Sequence, residues 1–330
     1  AKPSRITALA LAAGALGCGA AWAPHVDAAP AARGAQDVVI GRNIYPESLS
    51  AAPDGTLYIG SVMGAVYRVV PGSTRAEPWI RADAANGLGS VFGVLVDARA
   101  DTLWVCSTPS PLAAHAGGSA TALVAFDLAT RRRVGFYPFP PPKATCNDIT
   151  VGPDGTAYAT DTPNGRILEL PRGAHALEVF AHDARLKGVD GIAFSGDGVL
   201  YADLVTSNRL IRIDRKPDGR FAGVTPLASS RTLGAPDGLR LIAGNRFMLA
   251  EGGSGRIDEV SIDGKRAAIT VLRSGFMSPP GVTFVRGGTA YAVDGKIGYL
   301  IDPHLKGKDP GPFEAYAIAL PASHPAGRHP

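Results

Sequence analysis

The sequence predicts an all-β fold, a six-bladed β-propeller with four antiparallel strands per blade, and three observations carry that prediction. A segment of 12 residues recurs six times without gaps. Each copy holds an apolar stretch, a Gly-containing turn and a short second strand ending in an aromatic or large apolar residue. The copies start 43 to 54 residues apart, the spacing of propeller blades. Further strand-like runs follow the copies, and the 41 Gly and 27 Pro residues show no three-residue period, as expected for many short strands joined by tight turns. Four strands in each of six radial repeats leave few free sheet edges.

The elements follow in chain order. Residues 1–28 read as a signal peptide: Lys2 and Arg5 form a basic start, Ile6 to Ala23 is apolar, and Val26-Asp27-Ala28 is a small-residue cleavage signal. Left uncleaved, the same apolar run is about as long as a short membrane-spanning helix. Cys18 follows Ala15-Leu16-Gly17, a poor lipoprotein site. Export, to the periplasm or the medium, is the expectation, with no membrane span after cleavage. Residues 29–36 form a linker, residues 37–320 the propeller and residues 321–330 a C-terminal tail. The repeat copies are Glu47–Tyr58, Gly93–Trp104, Asn147–Tyr158, Asp190–Tyr201, Asp237–Met248 and Pro280–Tyr291. Third strands read as Ala65–Val69, Ala122–Phe126, Arg166–Leu170 and Arg209–Ile213, and a fourth as Leu177–Phe180. Ring closure needs a strand from one terminus; Val38–Ile40 and Ala315–Ile318 are both candidates.

Composition narrows the function. The chain is 45% hydrophobic and 19% charged, with net charge +4, enough apolar content for a core and too little charge for disorder. The one dense basic run, Arg131-Arg132-Arg133, reads as a solvated turn. Without zinc-finger spacing, an RNA-binding aromatic signature or a basic helix, nucleic acid is not an expected partner. A monomer acting on a small molecule is. Two cysteines, Cys106 and Cys146, remain after signal removal; an exported protein permits them one disulfide, and the pairing stays open.

The repeat register separates turn residues from candidate ligands. Asp54, Asp154 and Asp197 share one position inside the turn between the first two strands, where Asp serves geometry. Glu47, Gly93, Asn147, Asp190, Asp237 and Pro280 share another, at the start of the innermost strand. Innermost strands line a propeller's central channel, so four of six mouth positions present side-chain oxygens. Three carboxylates at one mouth repel, and one takes up a proton unless a cation is present. Carboxylate and amide oxygens suit hard cations, calcium above all; no aligned His or Cys supports zinc.

Tyr45-Pro46-Glu47, Cys146-Asn147-Asp148, Val189-Asp190-Gly191 and Pro236-Asp237-Gly238 resemble the senescence marker protein/gluconolactonase family, to which paraoxonases and diisopropylfluorophosphatase are similar in design. The resemblance spans roughly residues 37–320. It implies a calcium-dependent hydrolase, other divalent cations being possible, that opens a lactone or related ester. It also implies Glu47, Asn147, Asp190 and Asp237 as metal ligands. The cation would polarise the carbonyl, and Asp237 would act as general base or nucleophile. Two departures stand out. Asp190 occupies a position where Asn is usual, and Ala144, Thr145 and Cys146 stand where an arginine precedes the third-blade Asn, so sugar-lactone specificity is unsupported. His115, in the long loop from Pro109 to Thr121, is a candidate proton shuttle. Asp161, Asn164, Asp203, Asn208 and Glu251 are placed in equivalent loops of later blades and read first as turn residues, with Glu251, between Ala250 and Gly252-Gly253, placed to reach substrate or to brace a neighbouring ligand. Two other classes compete. One is a non-catalytic ligand- or protein-binding propeller with a structural calcium, a reading favoured by NHL-like segments such as Asn164-Gly165-Arg166-Ile167. The other is a metal-free enzyme of the strictosidine-synthase kind, against which the four aligned oxygens argue.

Overall fold

The structure is a computed structural model that describes residues 35–113, 120–285 and 288–320. The signal peptide expected over residues 1–28, the tail 321–330 and His115 lie outside the described residues. Among the described residues no helix is long and apolar enough to cross a membrane.

Six antiparallel sheets form the blades of a six-bladed propeller. Their innermost strands are Pro46–Ala51, Ser90–Asp97, Cys146–Val151, Val189–Phe194, Pro236–Ala243 and Gly281–Val285. Each blade then runs outward through successive hairpins. Blade 5 departs from the predicted four strands: Ala228–Ser229 adds a short fifth, parallel to the outer strand Arg266–Ser274. Blade 6 answers the closure question with both termini. Gly281–Val285 and Thr289–Val293 pair outward to the C-terminal Phe313–Ala319, and the N-terminal Val38–Gly41 forms the outer edge.

The repeat letters have local causes. Asp54 Oδ1 accepts the Thr56 N–H at 2.9 Å and Asp154 Oδ1 the Thr156 N–H at 3.1 Å, while Asp197 accepts from the Ser195 hydroxyl. The glycine that follows each Asp has positive φ, +91°, +85° and +82°, which a residue bearing Cβ adopts only at a cost. These three Asp are turn residues, as their register predicts. The aromatic residue ending several copies packs between blades: the Tyr158 and Phe194 ring centroids lie 5.5 Å apart, as do those of Tyr201 and Phe247. Cys106, on the second strand of blade 2, is disulfide-bonded to Cys146, which opens the innermost strand of blade 3.

One alignment is corrected. Val96 pairs with Leu103 in blade 2, whereas Ala51 pairs with Leu57 in blade 1, so the blade 2 turn is one residue longer. Counting inward from these pairs, the residue matching Glu47 is Phe92, buried at 3% exposure, and not Gly93. A Cβ on Gly93 would press on the Asn147 carbonyl and the Asp148 backbone, so that position is small because blades 2 and 3 touch there.

Candidate functional site

Five of the six innermost strands break register where they begin, between Pro46 and Ser48, Val91 and Val94, Cys146 and Ile149, Val189 and Ile192, and Pro236 and Leu239. A bulge re-aims side chains. Here it falls on the mouth residue and, in four of the five blades, on its successor as well, so that Asn147 and Asp148 both reach the channel. Glu47, Asn147, Asp190 and Asp237 line one cavity of about 10 Å³, near the lower limit for a single water, together with Asp148 and Arg240. The four residues read from the register are thus brought together.

Asn147 Nδ2 donates to Thr162 Oγ1 at 2.9 Å and to Asp190 Oδ2 at 2.8 Å. Asp190 is 4% exposed, and its Oδ1 is buried with no hydrogen-bond partner. As the side chains stand, no three His, Cys, Asp or Glu among the described residues are grouped closely enough to hold a metal ion. The cluster is nevertheless charged beyond what burial tolerates. Burial pushes Glu47 well above the carboxylate range, and the charges of Asp237 and Asp148 add to it while Arg240 opposes. Asp190 rises for the same reason, with Asp237, Asp203 and Glu47 as charged neighbours. Asp237 is pushed to about 8 by burial and then by Asp148. Without a cation, this mouth therefore holds protons at neutral pH. All donors are hard oxygens and one buried oxygen is orphaned, which fits a hard cation in chemistry.

Below the mouth the channel is closed by a pair that the repeat analysis did not single out. Arg240 NH1 and NH2 donate to Asp148 Oδ2 and Oδ1, each at 2.7 Å. NH1 also donates to the Leu239 carbonyl at 2.9 Å, and Asp148 Oδ2 accepts the Ile192 N–H at 3.1 Å. Arg240 also borders a second cavity of about 510 Å³ at the opposite end of the channel, so its guanidinium separates the two. Despite burial, the charge and hydrogen bonds of Asp148 raise the Arg240 pKa. Asp148 is therefore committed to Arg240 and to the Ile192 N–H. The signal was in the register: a single arginine stands in a row otherwise made of Ser50, Leu95, Thr150, Ala193 and Thr283.

The secondary candidates take other roles. Asp161 and Glu251 end second strands, and Asp203 lies within one. All three are fully buried, not displayed on loops. Asp161 pairs with Arg166 at 2.6 Å, and Arg166 in turn donates to the Pro141 carbonyl at 2.9 Å, fixing the segment that leads to Asn147. Asn164 Nδ2 bonds Asp161 and the Lys143 carbonyl. Glu251 accepts from Arg231 and from the Gly234 N–H, and Arg231 also reaches Asp258 at 2.6 Å, fixing the segment that leads to Asp237. Asn208 Oδ1 accepts the Ala235 N–H at 2.7 Å. Asp203 Oδ1 accepts the Gly191 N–H at 3.1 Å, and its Oδ2 is buried without a partner. These residues are anchors that set the mouth residues in place.

Comparisons with known proteins bear on this arrangement. A family model described as strictosidine synthase-like, N-terminal, matches residues 33–69, a stretch that includes Glu47 and the first three strands of blade 1. No curated protein matches the chain by sequence. Among solved structures, a gluconolactonase of Xanthomonas campestris is 17% identical with TM-score 0.61, covering 90% of this chain and 99% of its own. A structure assigned to the gluconolactonases is 15% identical with TM-score 0.64, covering 88% and 93%. An aldose sugar dehydrogenase of Streptomyces coelicolor, solved with PQQ bound, is 17% identical with TM-score 0.61, covering 86% and 96%. These neighbours establish the propeller. Their different chemistries show that the fold alone does not choose among them.

Proposed function

We propose that this chain is a lactonase-type hydrolase that opens a lactone or related ester at the channel mouth, with a divalent cation, calcium first, held by Glu47, Asn147, Asp190 and Asp237. The observation that supports it is the convergence of these four oxygen-bearing side chains on one cavity, with Asp190 Oδ1 buried and unpartnered. The gluconolactonases among the structural neighbours agree with this reading, and the N-terminal sequence and the disulfide agree with an exported protein. When bound, the cation would supply the charge that polarises the substrate carbonyl and stabilises the oxygen anion developing there. Glu47 and Asp190 would hold it, and Asn147 would contribute its amide oxygen after the amide turns over. Asp237 would take the proton from the attacking water. The pair Arg240–Asp148 closes the channel beneath, so substrate would approach from the face where the innermost strands begin.

The test combines calcium titration calorimetry with hydrolysis of a lactone panel, with and without chelator, on wild type and Asp237→Asn. The expected result is calcium binding, chelator-sensitive turnover and collapse of turnover in a folded Asp237→Asn. Absence of calcium binding would sink the site. Binding with no turnover of any lactone would favour the non-catalytic propeller.

A further inference from the structure

Two residues upstream of the mouth position, the six blades differ in a way that follows their charge. Tyr45 precedes Glu47 and has φ +47°; Ala235 precedes Asp237 and has φ +45°; Gly188 precedes Asp190 and has φ +81°. The corresponding residues of the other blades, Ser90 before Phe92, Thr145 before Asn147 and Ser278 before Pro280, have no positive φ. A left-handed residue thus stands before each carboxylate and before none of the uncharged mouth residues. Blade 4 uses glycine, for which this conformation is free. Blades 1 and 5 hold it with side chains that resist it.

The surroundings force the conformation. In all three blades the carbonyl of this residue accepts the N–H of the residue after the second strand: Val62 to Tyr45 at 3.2 Å, Val205 to Gly188 at 2.9 Å and Gly252 to Ala235 at 2.9 Å. Ser278 makes the same bond with Gly295 at 3.1 Å on ordinary backbone, so the bond alone does not demand the left-handed turn. Further restraints are specific. The Tyr45 ring packs on Phe313 with centroids 4.8 Å apart. The Ala235 N–H is held by Asn208, and the preceding Gly234 N–H by Glu251. In each case Pro46 or Pro236 follows and pairs with the end of the second strand, and the carboxylate falls in the bulge.

We infer that residues 45, 188 and 235 are positioning residues. Their left-handed turns bring Glu47, Asp190 and Asp237 to one mouth against mutual repulsion, so that the three carboxylates already line one cavity before a cation binds. Strain that persists only because its surroundings over-determine it marks functional sites. The inference rests on the cation reading above and specifies how this chain builds that site.

The experiment is calcium calorimetry on four variants. Ala235→Val places a β-branched residue where the turn is left-handed; the dissociation constant is expected to rise about tenfold. Ala235→Gly restores a compatible residue, and wild-type affinity is expected. Asn208→Gly removes the acceptor of the Ala235 N–H at a residue whose own φ is +58°, and a weakening of several-fold is expected. Arg131→Val imposes the same backbone conflict at φ +61° in an exposed turn of blade 2; it controls for general loss of stability and should bind calcium as wild type does. The inference falls if Ala235→Val, with a native circular dichroism spectrum, binds as tightly as wild type, or if Arg131→Val weakens binding as much. Should Ala235→Val fail to fold, unchanged affinity in Asn208→Gly overturns it. If wild type itself binds no calcium, the cation reading fails and takes this inference with it, an outcome distinct from wild-type binding that the variants leave untouched.

Discussion

Replacing Arg240 with Met tests the electrostatic core of the channel. Arg240 is 9% exposed, and its two Nη atoms bond both Asp148 oxygens at 2.7 Å. At an effective dielectric typical of proteins such an ion pair attracts by about 4 kcal/mol, and this pair lies among the acidic side chains of Glu47, Asp190, Asp203 and Asp237. Met keeps much of the volume but strands Asp148 and removes the donors to the Leu239 and Val94 carbonyls. Breaking a buried pair in this way costs about 3–5 kcal/mol, a large share of the roughly 5–15 kcal/mol of a typical domain. Urea denaturation followed by circular dichroism measures it. Adding Asp148→Asn removes the stranded charge while keeping an acceptor for the Ile192 N–H, and most of the loss should return. A loss below about 1 kcal/mol in the single variant, or a double variant no more stable than the single, would refute the reasoning.

Two further outcomes follow from the anchors. Replacing Cys106 and Cys146 with Ser opens a link between residues 40 apart, and chain entropy puts the loss near 4 kcal/mol in urea denaturation; an unchanged midpoint would show that the bond constrains nothing. Burial and then the hydrogen bond and charge of Glu251 push Asp258 to about 8, with Arg231 opposing, whereas an unfolded Asp titrates near about 4. The stability from this retained proton is full below about pH 4 and is lost as pH rises through about 8. Asp258→Asn, which keeps a donor toward Glu251, should therefore gain on wild type between pH 5 and pH 9 in paired urea titrations; parallel curves for the two proteins would contradict this.

The blades were legible because their signals are local: Asp-Gly turns, alternating strands and a fixed length between them. The same gapless comparison misplaced blade 2 at Gly93, since a turn one residue longer leaves every letter of the pattern plausible. The mouth residues were legible as a set because the register puts Glu47, Asn147, Asp190 and Asp237 at one height. Arg240 stands out in its row, but its pairing with Asp148 was not legible, because the two are 92 residues apart and only the ring brings them face to face. Asp161 and Glu251 were read as loop residues because each is the last residue of its strand. What distinguishes them is an arginine partner, five residues on for Asp161 and 20 residues back for Glu251. The left-handed turns before the carboxylates left no mark in the letters at Tyr45 and Ala235; only Gly188 has the residue that such a turn prefers.

The closure of blade 6 has a consequence for how the chain folds. Val38 pairs with Ala315 and Val39 with Glu314, so the first strand of the propeller, held earlier only where Val39 bonds the Thr74 carbonyl and the Ala76 N–H, gains its sheet partner only after nearly all the blades have been made. Contacts of such wide sequence separation are slow to form, because the loop must close before they repay its entropy. Once made, Phe313–Ala319 carries an open edge until Val38–Gly41 pairs with it, and such an edge is the surface on which strands of other chains add. The ring thus has a single late seam, and the hazard of misassembly is concentrated there.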